Sequence, residues 1–388
     1  MKNKLIIIGL ILACNSLFAQ TVKSIHNKAL VVDTHGDILS DQIHSGIDIG
    51  KKQAGGNFDL ERAKEGGLDV QVFSIWCDEK SGFNRAIQEI DSLNSLIKRY
   101  PEKISFVRTA KQLKEAVEKN KMAAMIGVEG GHMIENRLDY LDSLANRGMA
   151  YMTLTWNNSI PWATSAADET KRKDSLTHIG LTDFGRKIIS RMNELGVMVD
   201  LSHVGETTFY DAIAVSNKPV IASHSCAYAL NPHSRNLKDD QLKAIAKTGG
   251  VVFLNFYSGF LDSTYHRRQA SFFKSHAAEL KTLTDQFQNK SKAQAEINRK
   301  YKHEIENLRA PLSLVIAHID HMVKIMGVDH VGLGADFDGA ESYPRQIDDV
   351  SDYPLITSAL IRNGYSKKDV RKILGDNFIR VLKANKGE

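Results

Sequence analysis

The amino-acid sequence predicts a (β/α)8 barrel, and three observations carry that reading. Short apolar runs rich in β-type residues recur eight times, at 30–33, 70–75, 123–128, 151–155, 197–201, 220–223, 251–255 and 330–334. Longer stretches with helical patterning separate them, as at 83–99, 110–119, 184–195 and 237–247. Side chains of metal-ligand type stand at the C-terminal ends of most of the runs. Strands alternating with helices imply parallel βαβ units. Eight such units close a barrel whose active sites are built at the C-terminal rim of the strands. The competing architecture is an open doubly wound sheet, which needs a glycine-rich phosphate loop or a switch-point crevice. No G-x-G-x-x-G follows the first run.

Taken in order, the chain begins with the pattern of an export signal. Lys2 and Lys4 precede an apolar stretch at 5–13 that is too short to span a bilayer, and Ser16-Leu17-Phe18-Ala19 before Gln20 suits cleavage after Ala19. The runner-up is a lipoprotein box at Ile11-Leu12-Ala13-Cys14, which would lipidate Cys14 and bring the protein to a membrane. Either way the chain is expected outside the cytoplasm, periplasmic or extracellular. Residues 20–388 read as one domain. Cys77 and Cys226 alone remain after cleavage at Ala19, so no disulfide framework is expected. The formal charge of +5 is spread without a basic block, so nothing suggests a nucleic-acid partner and none is expected.

Two segments depart from the plain alternation. Residues 261–310 contain no Gly or Pro and are rich in Lys, Gln, Glu and Ala, so they read as a helical hairpin inserted between the seventh and eighth barrel strands. A solvated excursion is favoured there over a substrate lid or dimer contact. Near the C-terminus, Ser366 with Asp369 makes a capping-box-like start to a helix through Leu374.

The chemistry is organised around Val31-Val32-Asp33-Thr34-His35-Gly36-Asp37. In extended chain, residues i and i+2 point to one side, so His35 and Asp37 can converge on one ion. Glu129 follows the third run, His203 the fifth, His224 the sixth and Asp336 the eighth. Singly, each histidine is better explained by an ordinary hydrogen bond, and His44, His132, His178, His233, His318, His321 and His330 are left to that explanation. Jointly, six such groups at one rim have no structural purpose. Imidazole and carboxylate without thiolate suit zinc or another divalent first-row ion. Three carboxylates and three histidines exceed the needs of one tetrahedral zinc. A metal pair sharing one carboxylate accommodates them, and Glu129, followed by Gly130-Gly131, is the natural bridge.

With Leu201-Ser202-His203, Ser223-His224-Ser225, Arg235-Asn236 and Gly334-Ala335-Asp336-Phe337-Asp338-Gly339 added, the set closely resembles the membrane (renal-type) dipeptidases from about residue 25 to the end, the insertion excepted. The resemblance implies a metal-dependent hydrolase barrel with two Zn2+ per chain. His35 and Asp37 would hold one, His203 and His224 the other, with Glu129 bridging. It further implies that Arg235 binds the C-terminal carboxylate of a dipeptide substrate and that Asp336 handles protons for the attacking water. Tolerance of a D-residue at the C-terminal position and a homodimer are also expected from it. One position departs: Trp156 stands where the family usually carries a histidine thought to steady the oxyanion. Tryptophan offers one N–H and no charge, so Trp156 and Asn157 are read as substrate-contacting residues, with oxyanion support from Asn157, Asn158 or the metal. The expected function is therefore a zinc-dependent dipeptidase. Its rivals are a barrel amidohydrolase acting on another amide or ester, and a non-catalytic metal- or ligand-binding relative.

Overall fold

The computed structural model describes residues 18–78 and 82–388. The basic and apolar parts of the export signal, and Cys14, lie outside the described residues. Nine parallel strands form one sheet: β1 (Val32–Gly36), β2 (Val70–Ile75), β3 (Ile104–Phe106), β4 (Met122–Glu129), β5 (Met149–Thr153), β6 (Met198–Asp200), β7 (Ile221–Ser225), β8 (Val251–Leu254) and β9 (Val331–Leu333). Eight of them run β1-β2-β4-β5-β6-β7-β8-β9, and β3 pairs with β4 off that path. The ring closes between β9 and β1, where Asp37 N–H donates to Phe337 O at 2.9 Å and Asp336 N–H to His35 O at 3.0 Å. All eight runs read from the sequence are barrel strands, and β3 is an addition.

Buried Asp33 reinforces the closure. Its Oδ1 accepts from the backbone N–H of His35 at 3.1 Å and of Ala335 at 3.0 Å, while Tyr353 OH donates to its Oδ2 at 2.6 Å. A buried carboxylate without such partners would cost several kcal/mol, so these donors are what make an acid tolerable on this strand.

The last helix, Asn377–Lys386, shuts the N-terminal end of the bore. Asn385 Nδ2 donates to Pro219 O, Arg380 Nη1 to Gly249 O and Asn377 Nδ2 to Val331 O, all at or before the starts of β7, β8 and β9. Phe378 meets Phe253 of β8 edge-on with centroids 6.0 Å apart, and burying one such ring contributes roughly 2–3 kcal/mol. As the sequence suggests, Ser366 caps the preceding helix, its Oγ accepting from Asp369 N–H. With one end plugged, the opposite rim is the open one.

Residues 265–308 form four helices in succession, Tyr265–Ser275, Ala277–Phe287, Lys290–Lys300 and Lys302–Leu308, where the sequence suggested a two-helix hairpin. The chain turns between them at His276, at Gln288 in the left-handed region (φ 50°) and at Tyr301. None is Gly or Pro, so no breaker marked the turns. Arg309 then fastens this segment to the loop after β9, donating to the carbonyls of Tyr343 (2.9 Å), Pro344 (2.7 Å) and Ile347 (2.8 Å).

Candidate metal centre and substrate cavity

The six ligand-type residues meet at the open rim, and all six are buried. His35 lies within β1 rather than after it, and Asp37 is the N-cap of the next helix with φ −88° and ψ 36°. The i and i+2 extended geometry expected from the sequence therefore does not hold at Asp37. The two side chains converge all the same, with His35 Nε2 3.7 Å from Asp37 Oδ2. Gly339 makes room for this, since a Cβ there would lie 2.0 Å from Asp37 Oδ2 and 2.5 Å from Asp336 Oδ1. His203 (φ 67°) and Asp336 (φ 64°) are non-glycine residues in the left-handed region. Strain of this kind persists where surrounding structure holds a functional geometry.

Each histidine has one ring nitrogen committed to the protein and the other aimed at the cavity. Tyr151 OH donates to Thr34 O at 2.9 Å, so its oxygen is left to accept from His35 Nδ1–H at 2.8 Å. Gly127 opposite allows the phenol into the bore, because a Cβ there would sit 2.0 Å from Tyr151 Cζ. Ser223 Oγ–H donates to Asp200 Oδ2 at 2.6 Å, which fixes it as acceptor for His224 Nδ1–H at 2.8 Å. His203 Nδ1–H donates to Asn157 Oδ1 at 3.1 Å. Three lone pairs on Nε2 thus face inward, the tautomer a metal ligand requires.

They converge on Glu129. Its Oε1 lies 2.9 Å from His203 Nε2 and 3.4 Å from His224 Nε2, and its Oε2 lies 3.6 Å from His35 Nε2. His203 Nε2 and His224 Nε2 are 3.0 Å apart with no hydrogen between them on these tautomers. The ligand atoms of His35, Glu129 and His224 lie within 4.8 Å of one another, as do those of His35, Asp37 and Asp336. His35 Nε2 and Asp37 Oδ1 are buried without a hydrogen-bond partner among the described residues. Facing lone pairs and orphaned acceptors are costly unless a cation lies among them. The donor set fits divalent metal.

The protonation tendencies separate the three histidines: His35 is held above its usual range despite its burial, by Tyr151, Glu129 and Asp37, whereas the other two are driven down. Burial lowers His203 to about 4, aided by Arg235, and takes His224 well below its usual range. Burial works against charge on Glu129 too, but His35, His203 and His224 hold it well below the usual carboxylate range. Asp336 is pushed up to about 7 by burial, with Asp37 and Glu129 adding to the shift against the pull of His35. Asn255 Nδ2 donates to Asp336 Oδ2 at 2.9 Å, leaving Oδ1 on the His35 side at 3.9 Å.

A cavity of about 390 Å³ opens over this cluster, and Trp76, Trp156, Asn157, Arg235, Tyr257, Phe260 and Glu341 contribute to its walls. Arg235 is 6% exposed, its Nη2 donates to His224 O at 3.3 Å, and its Cζ lies 5.4 Å from the centroid of Phe260. Burial lowers its pKa to about 10. Among the described residues no carboxylate pairs with it, so a buried guanidinium is left with donors for an incoming anion. Trp156 packs on Trp76 with centroids 4.8 Å apart. Asn157 lines the cavity, but its oxygen already serves His203.

The histidines set aside in the sequence behave differently. His132 bonds Cys77 O, His318 bonds Leu261 O, His321 bonds Asp239 and His330 bonds Gly250 O. Sequence reasoning missed the residues that orient the ligands: Tyr151, Ser223, Asp200 and Asn255. The one available signal was polar side chains on the bore-facing side of otherwise apolar strands.

Residues 19–387 match the family described as membrane dipeptidase, Peptidase family M19. Among solved structures, the fold resembles the probable dipeptidase PvdM from Pseudomonas aeruginosa, with a TM-score of 0.79 at 23% identity over 96% of this chain and 99% of that one. The dipeptidase AC, a metallopeptidase of family M19, aligns with a TM-score of 0.76 at 25% identity, covering 93% and 99%. A metallopeptidase from Rhodobacter sphaeroides bound to a phosphinate mimic of the dipeptide L-Ala-D-Ala gives 0.75 at 24% identity, covering 92% and 99%. The match over nearly the whole length, on a barrel that gathers this ligand set at its rim, places the chain in the membrane dipeptidase family, whose members are metallopeptidases.

Proposed function

We propose that the protein hydrolyses dipeptides with two zinc ions per chain, His35 and Asp37 holding one, His203 and His224 the other, and Glu129 reaching both. The observation that carries this is the convergence of three Nε2 lone pairs on the two oxygens of Glu129, beside an Arg235 that has no carboxylate partner among the described residues. Such ions, when bound, acidify a water and polarise the scissile carbonyl.

The rest falls to the chain's own residues. Arg235 takes the substrate's C-terminal carboxylate in a two-pronged pairing and so sets which bond lies over the cluster. Asp336, steadied through Oδ2 by Asn255, offers Oδ1 to accept the proton of the attacking water and return it to the departing nitrogen. Tyr151, Ser223 and Asn157 keep the three imidazoles in the ligating tautomer. Trp156 brings one N–H and no charge to the position where the family usually has histidine.

The relative's ligand, a mimic of L-Ala-D-Ala, makes acceptance of a D-residue at the C-terminal position part of this reading. The basic and apolar N-terminal pattern supports export, with cleavage after Ala19 as the first choice. A barrel hydrolase of another amide or ester is the alternative, and Arg235 discriminates between them. Amidating a dipeptide's C-terminus should raise KM sharply, and Arg235→Ala should erase the difference between free and amidated forms. Equal handling of both forms by the unaltered enzyme would favour the alternative.

A further inference from the structure

We propose that Trp76 and Trp156 form the wall that receives the side chain of the substrate's N-terminal residue, and that this wall selects large apolar or aromatic side chains. The proposal rests on the dipeptidase reading above and adds to it the identity of one substrate subsite.

Position around the rim is the first argument. Trp76 follows β2 and Trp156 follows β5, with Glu129 at the end of β4 between them. A Cβ built on Gly130 would lie 3.5 Å from Trp156 Cβ, so the indole springs from beside the bridging carboxylate. Its ring centroid is 6.4 Å from that of His203. Arg235 and Phe260 belong to the other sector, after β7 and β8. A dipeptide whose carboxylate is on Arg235 and whose peptide bond lies over the ligand cluster therefore sends its N-terminal residue toward the two indoles.

Chemistry is the second. The two rings are tilted by 50° rather than stacked flat, and both line the cavity. Trp76 Nε1 is sealed from solvent and has no hydrogen-bond partner among the described residues, so Trp76 offers the cavity ring surface and not a polar group. The backbone of Trp76 is held in turn, its N–H donating to buried Glu89 Oε2 at 2.9 Å, and Arg85 Nε donating to Glu89 Oε1 at 3.0 Å. A histidine in place of Trp156 would remove about half of that surface and add a titrating group.

The test compares kcat/KM for Phe-Ala, Leu-Ala, Lys-Ala and Ala-Ala in the unaltered enzyme, in Trp156→His and in Trp76→Phe. Folding of each variant is checked by circular dichroism. Phe-Ala and Leu-Ala should exceed Ala-Ala by roughly tenfold or more, and Trp156→His should shrink that ratio several-fold, with a smaller change in Trp76→Phe. Using a ratio cancels any general loss of rate. A ratio near one in the unaltered enzyme, a ratio that Trp156→His leaves intact, or Lys-Ala as the best substrate would overturn the proposal. Failure to hydrolyse any dipeptide would instead overturn the dipeptidase reading on which it rests.

Discussion

On the β1/β9 side of the mouth, His35 stands among the carboxylates of Asp37, Glu129 and Asp336, whereas on the β6/β7 side His203 and His224 point two bare nitrogens at one another 3.0 Å apart. In the first half burial drives Asp336 upward, with the carboxylates of Asp37 and Glu129 adding to the shift, and His35 is held above its usual range despite its burial, by Tyr151, Glu129 and Asp37. The second half is desolvated and lies beside the Arg235 cation, so its histidines are driven down. On the proposed reading one remedy, a cation in each half, answers both problems. Glu129 gives one oxygen to each side, and the stacked rings of His35 and His224, 3.8 Å apart, show how closely the halves abut. The halves also differ in support. A phenol and an asparagine brace the acidic half, and a serine–aspartate pair with a second asparagine braces the imidazole half.

That comparison is sharpened first at Asp336, which lies close enough to His35 and Asp37 to be a ligand of the acidic half. As a proton carrier, Asp336→Asn should lower kcat by roughly 10²-fold or more while zinc content holds. Metal analysis beside steady-state rates decides it, because loss of metal in step with activity would make Asp336 a ligand. The supporting residues give a smaller effect. Tyr151→Phe should weaken only the ion of the acidic half and Asn157→Ala only that of the imidazole half, each by roughly 10- to 100-fold in affinity. Competition with a chelator of known affinity measures both, and equal weakening of both ions by either change would mean that the halves do not act separately.

Much of this was legible in the sequence because β-branched runs and ligand residues announce themselves locally. The eight barrel strands and the six-residue cluster need no knowledge of neighbours. Three-residue β3, Ile-Ser-Phe, gives too short a pattern to register. Tyr151 reads as one more strand aromatic until Gly127 on the adjacent strand is seen to admit it, and Asp200 reads as a strand end until Thr153, Ser202 and Ser223 are seen to donate to it. Asn157 lines the cavity as expected of a substrate contact, and the engagement of its oxygen by His203 is a further role that the sequence did not suggest. The extended geometry assumed at Asp37 failed because that residue begins a helix. Each of these facts is a relation between distant segments, which no local pattern encodes.

The central claim is that Glu129 joins two metal sites into one catalytic unit, and a zinc titration tests it most directly. Protein stripped by chelator is titrated with zinc while bound metal and dipeptide hydrolysis are followed together, in parallel with Glu129→Gln. Binding should saturate at close to two zinc per chain, with activity rising alongside the second equivalent, and the variant should lose occupancy of both sites together. Saturation and full activity at one zinc per chain, or a variant that keeps one tight metal and its activity, would contradict the account.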